Sequence, residues 1–222
     1  MLDFSAGIAL SDRSRPRGVG LYAAGLKRCF DLVVALLLMP VVLPLLACLC
    51  LVALSRGGPC FFGHDRVGRG GRMFRCWKIR TMVPDAQARL DQLLAQDATA
   101  AAEWLRTRKL RRDPRVTGFG HVLRRSSLDE LPQIWNVLKG EMSLIGPRPV
   151  TRAEMAYYGA HQGDYLALRP GITGLWQVSG RNSVSYDRRV ALDVEYARGL
   201  SFLTDLRILL RTAAVVLARS GA

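Results

Sequence analysis

Histidine and patterned cysteine are what this sequence lacks. Its three histidines (His64, His121, His161) are scattered, and its five cysteines (Cys29, Cys48, Cys50, Cys60, Cys76) contain no C-x-x-C pair. That spacing argues against a zinc centre and against a disulfide framework. Three of the cysteines lie in or beside an apolar run, where a free thiol behaves as a small hydrophobe, so a reducing setting is expected. Acidic residues are also scarce, 18 against 32 basic ones, and the basic residues are 28 arginines to only 4 lysines. The net charge of +14 therefore resides in guanidinium groups, whose planar fork matches phosphate oxygens in a bidentate way. An anionic partner is implied, and nucleic acid, an acidic membrane surface or a nucleotide-sugar diphosphate would each satisfy the charge. There are no internal repeats and no low-complexity linker. At 222 residues the chain fits one domain, or one with a short appendage, and has no room for a second enzyme.

From Leu32 to Leu54 the chain carries no charge, a run long enough to cross a hydrocarbon core as a helix. It starts about thirty residues in, and Arg56-Gly57-Gly58-Pro59 follows it with no small-residue cleavage site, so it reads as a retained membrane segment rather than a signal peptide. Pro40 and Pro44 sit near its middle, each removing a helical hydrogen bond, so a bend is expected there. Arg13, Arg15, Arg17, Lys27 and Arg28 precede the run and Arg56, Arg66, Arg69 and Arg72 follow it, leaving the positive-inside rule without a preferred end. A Pro-kinked spanning helix and a kinked helix that returns to the same face both fit the residues. Asp31 opens the run and is expected to act as an interfacial anchor rather than a catalyst. Residues 1–22 lack sustained periodicity and are expected to form a mobile arm.

After the membrane segment, Pro59-Cys60-Phe61-Phe62 and Met73 to Arg80 flank Gly68-Arg69-Gly70-Gly71, which reads as two short strands and a turn. In a strand, Lys78 and Arg80 would share one face. Pro84 and Asp85 introduce an Ala/Leu-rich helix expected to run to about Leu110, with Leu90, Leu93 and Leu94 facing the core. A second helix is expected over about 130–139 from the spacing of Leu131, Ile134, Trp135 and Leu138, with Gly140 as its left-handed cap. Near the end, Leu203, Leu206, Leu210, Ala213 and Leu217 form an apolar stripe beside Arg207 and Arg211, suited to an anionic bilayer surface or to packing on the core.

The adjacent carboxylates Asp129 and Glu130 stand between Arg124–Arg125 and the Pro-flanked Arg148. Ser127-x-x-Glu130 matches a capping box, and Asp129 could itself cap a helix whose first turn holds Pro132. A carboxylate at a helix start also lies where free N–H groups gather phosphate oxygens. Aspartate is a competent nucleophile at phosphorus, and nearby arginines with a divalent cation would offset the repulsion between two acids.

The stretches Lys78-Ile79-Arg80-Thr81-Met82, Ser127 to Gln133, Gly146-Pro147-Arg148-Pro149 and Arg169 to Arg181 occur in an order that resembles the bacterial sugar transferases, the monotopic phosphoglycosyl transferases. The similarity covers about Lys27 to the C-terminus. It implies an α/β, mainly α, monotopic membrane protein in three parts. These are the arm 1–22, a re-entrant helix-break-helix over 23–56 with membrane determinants Asp31, Pro40 and Pro44, and a cytoplasmic catalytic domain over 57–222. In the last part a small strand pair and surface amphipathic helices are expected. It further implies that Asp129 attacks the sugar-bearing phosphate of a UDP-sugar, galactose or glucose by the Trp-Gln-Val-Ser-Gly-Arg run, releasing UMP before undecaprenyl phosphate takes the phosphosugar. Glu130 would assist as base or metal partner, with Mg²⁺ held at Asp129 and Glu130. Lys78, Arg80, Arg124, Arg148, Pro149 and Arg169 would bind substrate, with Asp187 and Asp193 in support. The implied place is the bacterial inner membrane, active site towards the cytoplasm, with membrane lipids as partners, no nucleic acid, and room for a homo-oligomer. Gly63-His64 departs from the more polar pair of many relatives. Two other readings remain open at this level: the same reaction with an N-acetylated or diamino sugar, and a non-enzymatic basic membrane adaptor.

Overall fold

A computed structural model describes residues 21–107, 110, 113–180 and 185–217. The expected arm up to residue 20, with Arg13, Arg15 and Arg17, and Arg181 of the late motif lie outside the described residues. A π-helical turn, Tyr22–Leu26, runs directly into α1, Lys27–Leu54. The helix carries both prolines inside it, so the expected helix-break-helix is one helical element, with the carbonyls four residues before each proline left without their usual N–H partner. Among the described residues the segment Tyr22–Leu54 is the one helix long and apolar enough to cross a membrane.

One side of α1 is buried and the rest is not. Asp31, Ala35, Val42 and Ala53 face inward, whereas Leu37, Val41 and Leu51 are each about 70 % exposed. The first half packs into a core with Phe74, Ile134, Met142 and Ile208, and the second half meets Cys60, Ile79 and Leu123. Both ends of the apolar helix are therefore seated on the same domain.

The strand pair follows the sequence reading. β1, Phe61–Val67, and β2, Met73–Ile79, are antiparallel, with Phe62 opposite Lys78 and Val67 opposite Met73. The Ala/Leu-rich segment departs from it, since α2, Ala86–Gln96, and α3, Ala98–Thr107, are separate helices. Asp97 is extended and its Oδ1 accepts from the amides of Thr99 and Ala100 at 2.8 and 3.0 Å, a cap that starts a new helix rather than continuing the old one. α4, Gly118–Ser126, leads to α5, Gln133–Lys139, which ends at Gly140 with φ +83° as expected. Trp135 does not face the core: it is exposed, while Ile134, Asn136 and Val137 are buried.

Asn136 joins α5 to the hairpin. Its Oδ1 accepts from Trp77 N–H at 3.1 Å and its Nδ2 donates to the Arg75 carbonyl at 2.8 Å and to Glu141 at 2.6 Å. A buried amide satisfied on this many sides fixes the register of β2 against α5. It thereby sets the distance between Lys78 and the carboxylates that precede α5.

A second, parallel pair is formed by β3, Ser143–Ile145, and β4, Gly171–Thr173. Where the chain leaves β3, Gly146 approaches Gly171 so closely that a side-chain carbon on Gly171 would sit 2.1 Å from the Gly146 nitrogen. Only glycine fits at this crossing, which delivers Pro147-Arg148-Pro149 to the hairpin side. Between the strands lies α6, Gln162–Leu166; after them come α7, Leu175–Val178, α8, Tyr186–Arg198, and α9, Phe202–Leu217. In α9 the buried residues are Asp205 and Ile208, so the stripe containing Leu203 and Leu210, 60 % and 64 % exposed, faces outward.

Cys50 of α1 is paired with Cys60 just before β1 in a disulfide, where the sequence reading expected free thiols. The pairing is tertiary: the last turn of α1 and the short loop after it bring a cysteine ten positions along the chain back beside the helix, a proximity that motif spacing does not encode.

Candidate active site

The two adjacent carboxylates owe their position to a turn rather than to a helix cap. α4 starts at Thr117, whose Oγ1 accepts from Gly120 N–H at 2.9 Å, and ends at Ser127 with φ +58° and ψ +17°. A left-handed serine costs on the order of 1 kcal/mol, and it turns the chain into a single 3-10 turn, Leu128–Glu130. Neither that turn nor α5 has a side-chain cap. The capping roles that the spacing permits for Ser127 and Asp129 are not taken up, and both carboxylates are left to the cavity they border.

Asp129 is 8 % exposed. Burial pushes its carboxyl up to about 6, and the charge of Glu130 adds to this, while Lys78 and Arg124 pull the other way. Glu130 Oε1 lies 2.5 Å from Lys78 Nζ. Arg124 is oriented by its Nε, which donates to Thr81 Oγ1 at 2.9 Å. Arg80 donates from Nη2 to the Gly57 carbonyl, and its Nη1 is buried without a partner.

Arg148 approaches from the strand-crossing side. Its backbone N–H donates to Asp193 Oδ2 at 3.4 Å, and its guanidinium carbon lies 5.0 Å from the centroid of the Trp176 ring. Arg189 reaches the same indole at the same distance, so two guanidinium groups share one aromatic platform. Asp193 is 3 % exposed; burial pushes its carboxyl up to about 7, against a 2.6 Å hydrogen bond from the Tyr158 hydroxyl and the approach of Arg148.

Lys78, Arg80, Arg124, Asp129, Glu130, Arg148 and Trp176 line one cavity of about 1210 Å³. Trp176 Nε1 and Gln177 Oε1, in residues of the same lining, are buried and unpaired. The Gln177 amide is oriented because its Nε2 donates to the Ile172 carbonyl at 3.2 Å. A free donor and a free acceptor beside four cations suit a polar, polyanionic ligand. Pro149 borders a small recess behind Lys78, Glu130 and Arg148.

Three sequence-stated residues lie elsewhere. Arg169 does not line the cavity; its Nε donates to the Gly140 carbonyl at 2.8 Å, and Arg28 bonds the Val137 and Leu138 carbonyls beside it. Both arginines thus satisfy the open end of α5. Asp31 is 1 % exposed, accepting from Ser143 Oγ and Leu144 N–H at 3.0 and 3.1 Å, so it ties α1 to β3. Asp187 is exposed. Sequence reading passed over Arg189, Tyr158 and Asp205, whose roles depend on contacts made through the fold, the hydrogen bond from Tyr158 to Asp193 spanning 35 residues and that from Tyr22 to Asp205 spanning 183; Asp205 accepts from Lys27, Tyr22 and Tyr196 at 2.6–2.7 Å. An acid or tyrosine within a helix gives no signal of such partners.

Among the described residues there is no cluster of three or more metal-binding side chains. Asp129 and Glu130 nevertheless fit magnesium, which binds through one or two carboxylates and takes its remaining oxygens from water and substrate phosphate.

A family profile described as bacterial sugar transferase matches residues 22–219. The chain is 50 % identical over 197 residues to a UDP-galactose-lipid carrier transferase of Erwinia amylovora, covering 89 % of this chain and 41 % of the relative. It is 47 % identical to the exopolysaccharide production protein ExoY of Sinorhizobium fredii, covering 88 % and 87 %. To a UDP-glucose:undecaprenyl-phosphate glucose-1-phosphate transferase of Caulobacter vibrioides it is 40 % identical, covering 88 % and 71 %. The chain spans about two-fifths of the length of the first of these.

Proposed function

The chain belongs to the bacterial sugar transferase family, and from that premise we propose that it transfers a hexose 1-phosphate, galactose or glucose, from a UDP-sugar to undecaprenyl phosphate. The observation that carries the proposal is Asp129, a buried carboxylate beside Glu130 in a cavity that also presents Lys78, Arg80, Arg124 and Arg148. A carboxylate among cations has no use in a passive anion-binding surface, where it would only repel the ligand.

In the first step an Asp129 carboxylate oxygen forms a bond to the sugar-bearing phosphorus. The bond from that phosphorus to the bridging oxygen breaks, and UMP leaves with the electron pair. Lys78, Arg124 and Arg148 hold the phosphate oxygens and carry the charge that moves onto UMP. In the second step a phosphate oxygen of undecaprenyl phosphate attacks the same phosphorus, the aspartyl–phosphorus bond breaks, and the carboxylate is restored. The acceptor is an anion already and needs little deprotonation. A Mg²⁺ ion held by Asp129 and Glu130 would supply charge neutralisation at the phosphates.

The proposed membrane placement rests on α1. Its exposed leucines require lipid and both its ends are seated on one domain, which supports a re-entrant, monotopic helix bent at Pro40 and Pro44 with the domain on the cytoplasmic face. The outward Leu203 and Leu210 of α9 would rest in the same interface. Incubating the purified chain with undecaprenyl phosphate, Mg²⁺ and UDP-galactose, UDP-glucose or N-acetylated donors should release UMP, with the hexose donors preferred. Absence of UMP from every donor would refute the assignment.

A further inference from the structure

Outside the cavity, Arg28 and Arg169 converge on one residue. Arg169 Nε donates to the Gly140 carbonyl at 2.8 Å, and Arg28 Nη2 lies 3.5 Å from where a side-chain carbon on Gly140 would stand. Arg69 belongs to the hairpin turn Arg69–Gly71, which packs on α6 just ahead of Arg169. Burial, and then the charges of Arg28 and Arg69, hold the Arg169 guanidinium below its usual range, so both are near enough to repel it. Among the described residues the acid that acts on Arg169 is Asp31, and it is already engaged with Lys27, Ser143 and Leu144. Glu141, next to Gly140, accepts from Asn136. Arg28 commits both terminal nitrogens to the Val137 and Leu138 carbonyls. The terminal nitrogens of the half-buried Arg169 and the exposed guanidinium of Arg69 bond no side chain or carbonyl among the described residues. An uncompensated fork is left over.

These cations stand at the edge of the lipid-demanding surface. Arg28 is in the first turn of α1; one and two turns on, Leu32 is half-buried and Leu36 is 60 % exposed, so an apolar strip starts where the arginine ends. On α5, whose end the two arginines close, Trp135 is exposed with Lys139 Nζ 6.0 Å from its ring centroid. An amphipathic ring beside a cation suits a membrane–water interface. We propose that Arg28, Arg69 and Arg169 bind the phosphate of an anionic glycerophospholipid of the phosphatidylglycerol type, whose acyl chains lie along Leu32 and Leu36. The inference rests on the membrane placement of α1 proposed above and concerns a lipid that is not a substrate. The Arg169 fork takes the two non-bridging phosphate oxygens, while Arg69 and Arg28 add charge on either side. A zwitterionic lipid would bring its own cation to three others, and a free phosphate has no hydrocarbon for the strip.

The test uses the full chain in detergent micelles, with the dissociation constant of phosphatidylglycerol read by native mass spectrometry and the melting temperature followed alongside. The unaltered chain should bind phosphatidylglycerol at least about tenfold more tightly than phosphatidylcholine, and neither inorganic phosphate nor UMP should displace it. Arg69→Gln, at an exposed side chain without partners, should weaken binding about fivefold. Arg169→Lys, which keeps the charge and loses the fork, should weaken it by a similar factor. Arg188→Gln, which removes the same charge from an exposed position of α8, should change it less than about twofold. Equal weakening in all three variants would reduce the effect to net charge. Equal affinity for phosphatidylcholine would leave no headgroup recognition, and displacement by inorganic phosphate or UMP would make this a site for a free anion. Each of these results overturns the lipid site. Should Arg169→Lys fail to fold, as its melting temperature without lipid would show, the comparison of Arg69→Gln with Arg188→Gln decides. Release of the unaltered chain from cell membranes by alkaline carbonate would instead strike the membrane placement on which the site rests.

Discussion

Asp129 combines two properties that oppose each other, burial and a need for charge. Its carboxyl is pushed from an ordinary 3.8 to about 6, so folding favours its protonated form. The resulting penalty on the ionised form is absent below pH 4 and complete above pH 6, worth up to roughly 3 kcal/mol for a group this buried. Asp129→Asn should therefore abolish UMP release yet raise the melting temperature at pH 7.5, with the gain disappearing as the pH falls to 4. A variant that is inactive and less stable at neutral pH would contradict this balance. The same shift predicts that single-turnover UMP release by the unaltered chain falls on acidification with an apparent pKa near 6. A rate that stays flat down to pH 4.5 would remove Asp129 as nucleophile. At Arg148, lysine keeps the charge but loses both the fork and the planar contact with Trp176. Arg148→Lys should lower kcat/KM for the donor by about 10- to 100-fold, and near-parental kinetics would reduce Arg148 to a surface charge. Asp129, Glu130 and Arg148 were legible in sequence because they are adjacent or framed by proline. Asp193, expected in support of the site, is buried against the Arg148 backbone; Arg189, which shares the Trp176 platform, was not legible, because only the return of α8 brings it there.

Elements were legible where one local rule acted alone and misread where two competed. The hairpin β1–β2 and the Gly140 end of α5 emerged as expected, because glycine-marked turns and alternating strands are local properties. The segment read as one helix to Leu110 is divided at Asp97, where a side chain that can serve two amides outweighed the continuity of an Ala/Leu pattern. Trp135 had the right spacing for the core but faces outward, since a seven-residue α5 buries its inner face through Ile134, Asn136 and Val137. α1 is the element whose sequence carries the clearest functional signal, because proline is costly in a helix interior, about 3 kcal/mol relative to alanine, yet Pro40 and Pro44 both occur within it. Replacing both with alanine should stabilise the helix while lowering transfer to undecaprenyl phosphate at least about tenfold. Steady-state turnover in lipid nanodiscs that contain undecaprenyl phosphate, read as lipid-linked sugar formed, is the measurement. Unchanged turnover would mean that the prolines are not needed to seat the lipid beside the site.

At the scale of the whole molecule, the question is how a helix of 28 residues, about 42 Å long if straight, relates to a bilayer whose hydrocarbon core is about 30 Å thick. Length alone would let it span. The contacts at its two ends oppose that. At the start, Lys27 is 2.7 Å from the buried Asp205 and Arg28 donates to the carbonyls at the end of α5. At the finish, Ala53 is buried with Ile79 and Leu123, and Cys50 is joined to Cys60. A spanning helix would put these two ends on opposite faces of the membrane, yet a single domain grips both. Separating them would expose the charges around Asp205 at one end and part of the core at the other. In the sequence, basic residues flank the run on both sides and the positive-inside rule counts them equally. The decisive sites are Gly25, where nothing lies within 4 Å of an added side-chain carbon, and the exposed Arg72 beyond the helix. Cysteine placed at either, in a background without the native cysteines, should resist a membrane-impermeant thiol reagent in intact cells and react after permeabilisation. Labelling of one position and not the other in intact cells, in protein that still releases UMP, would establish a spanning helix and overturn the proposed single-faced anchor.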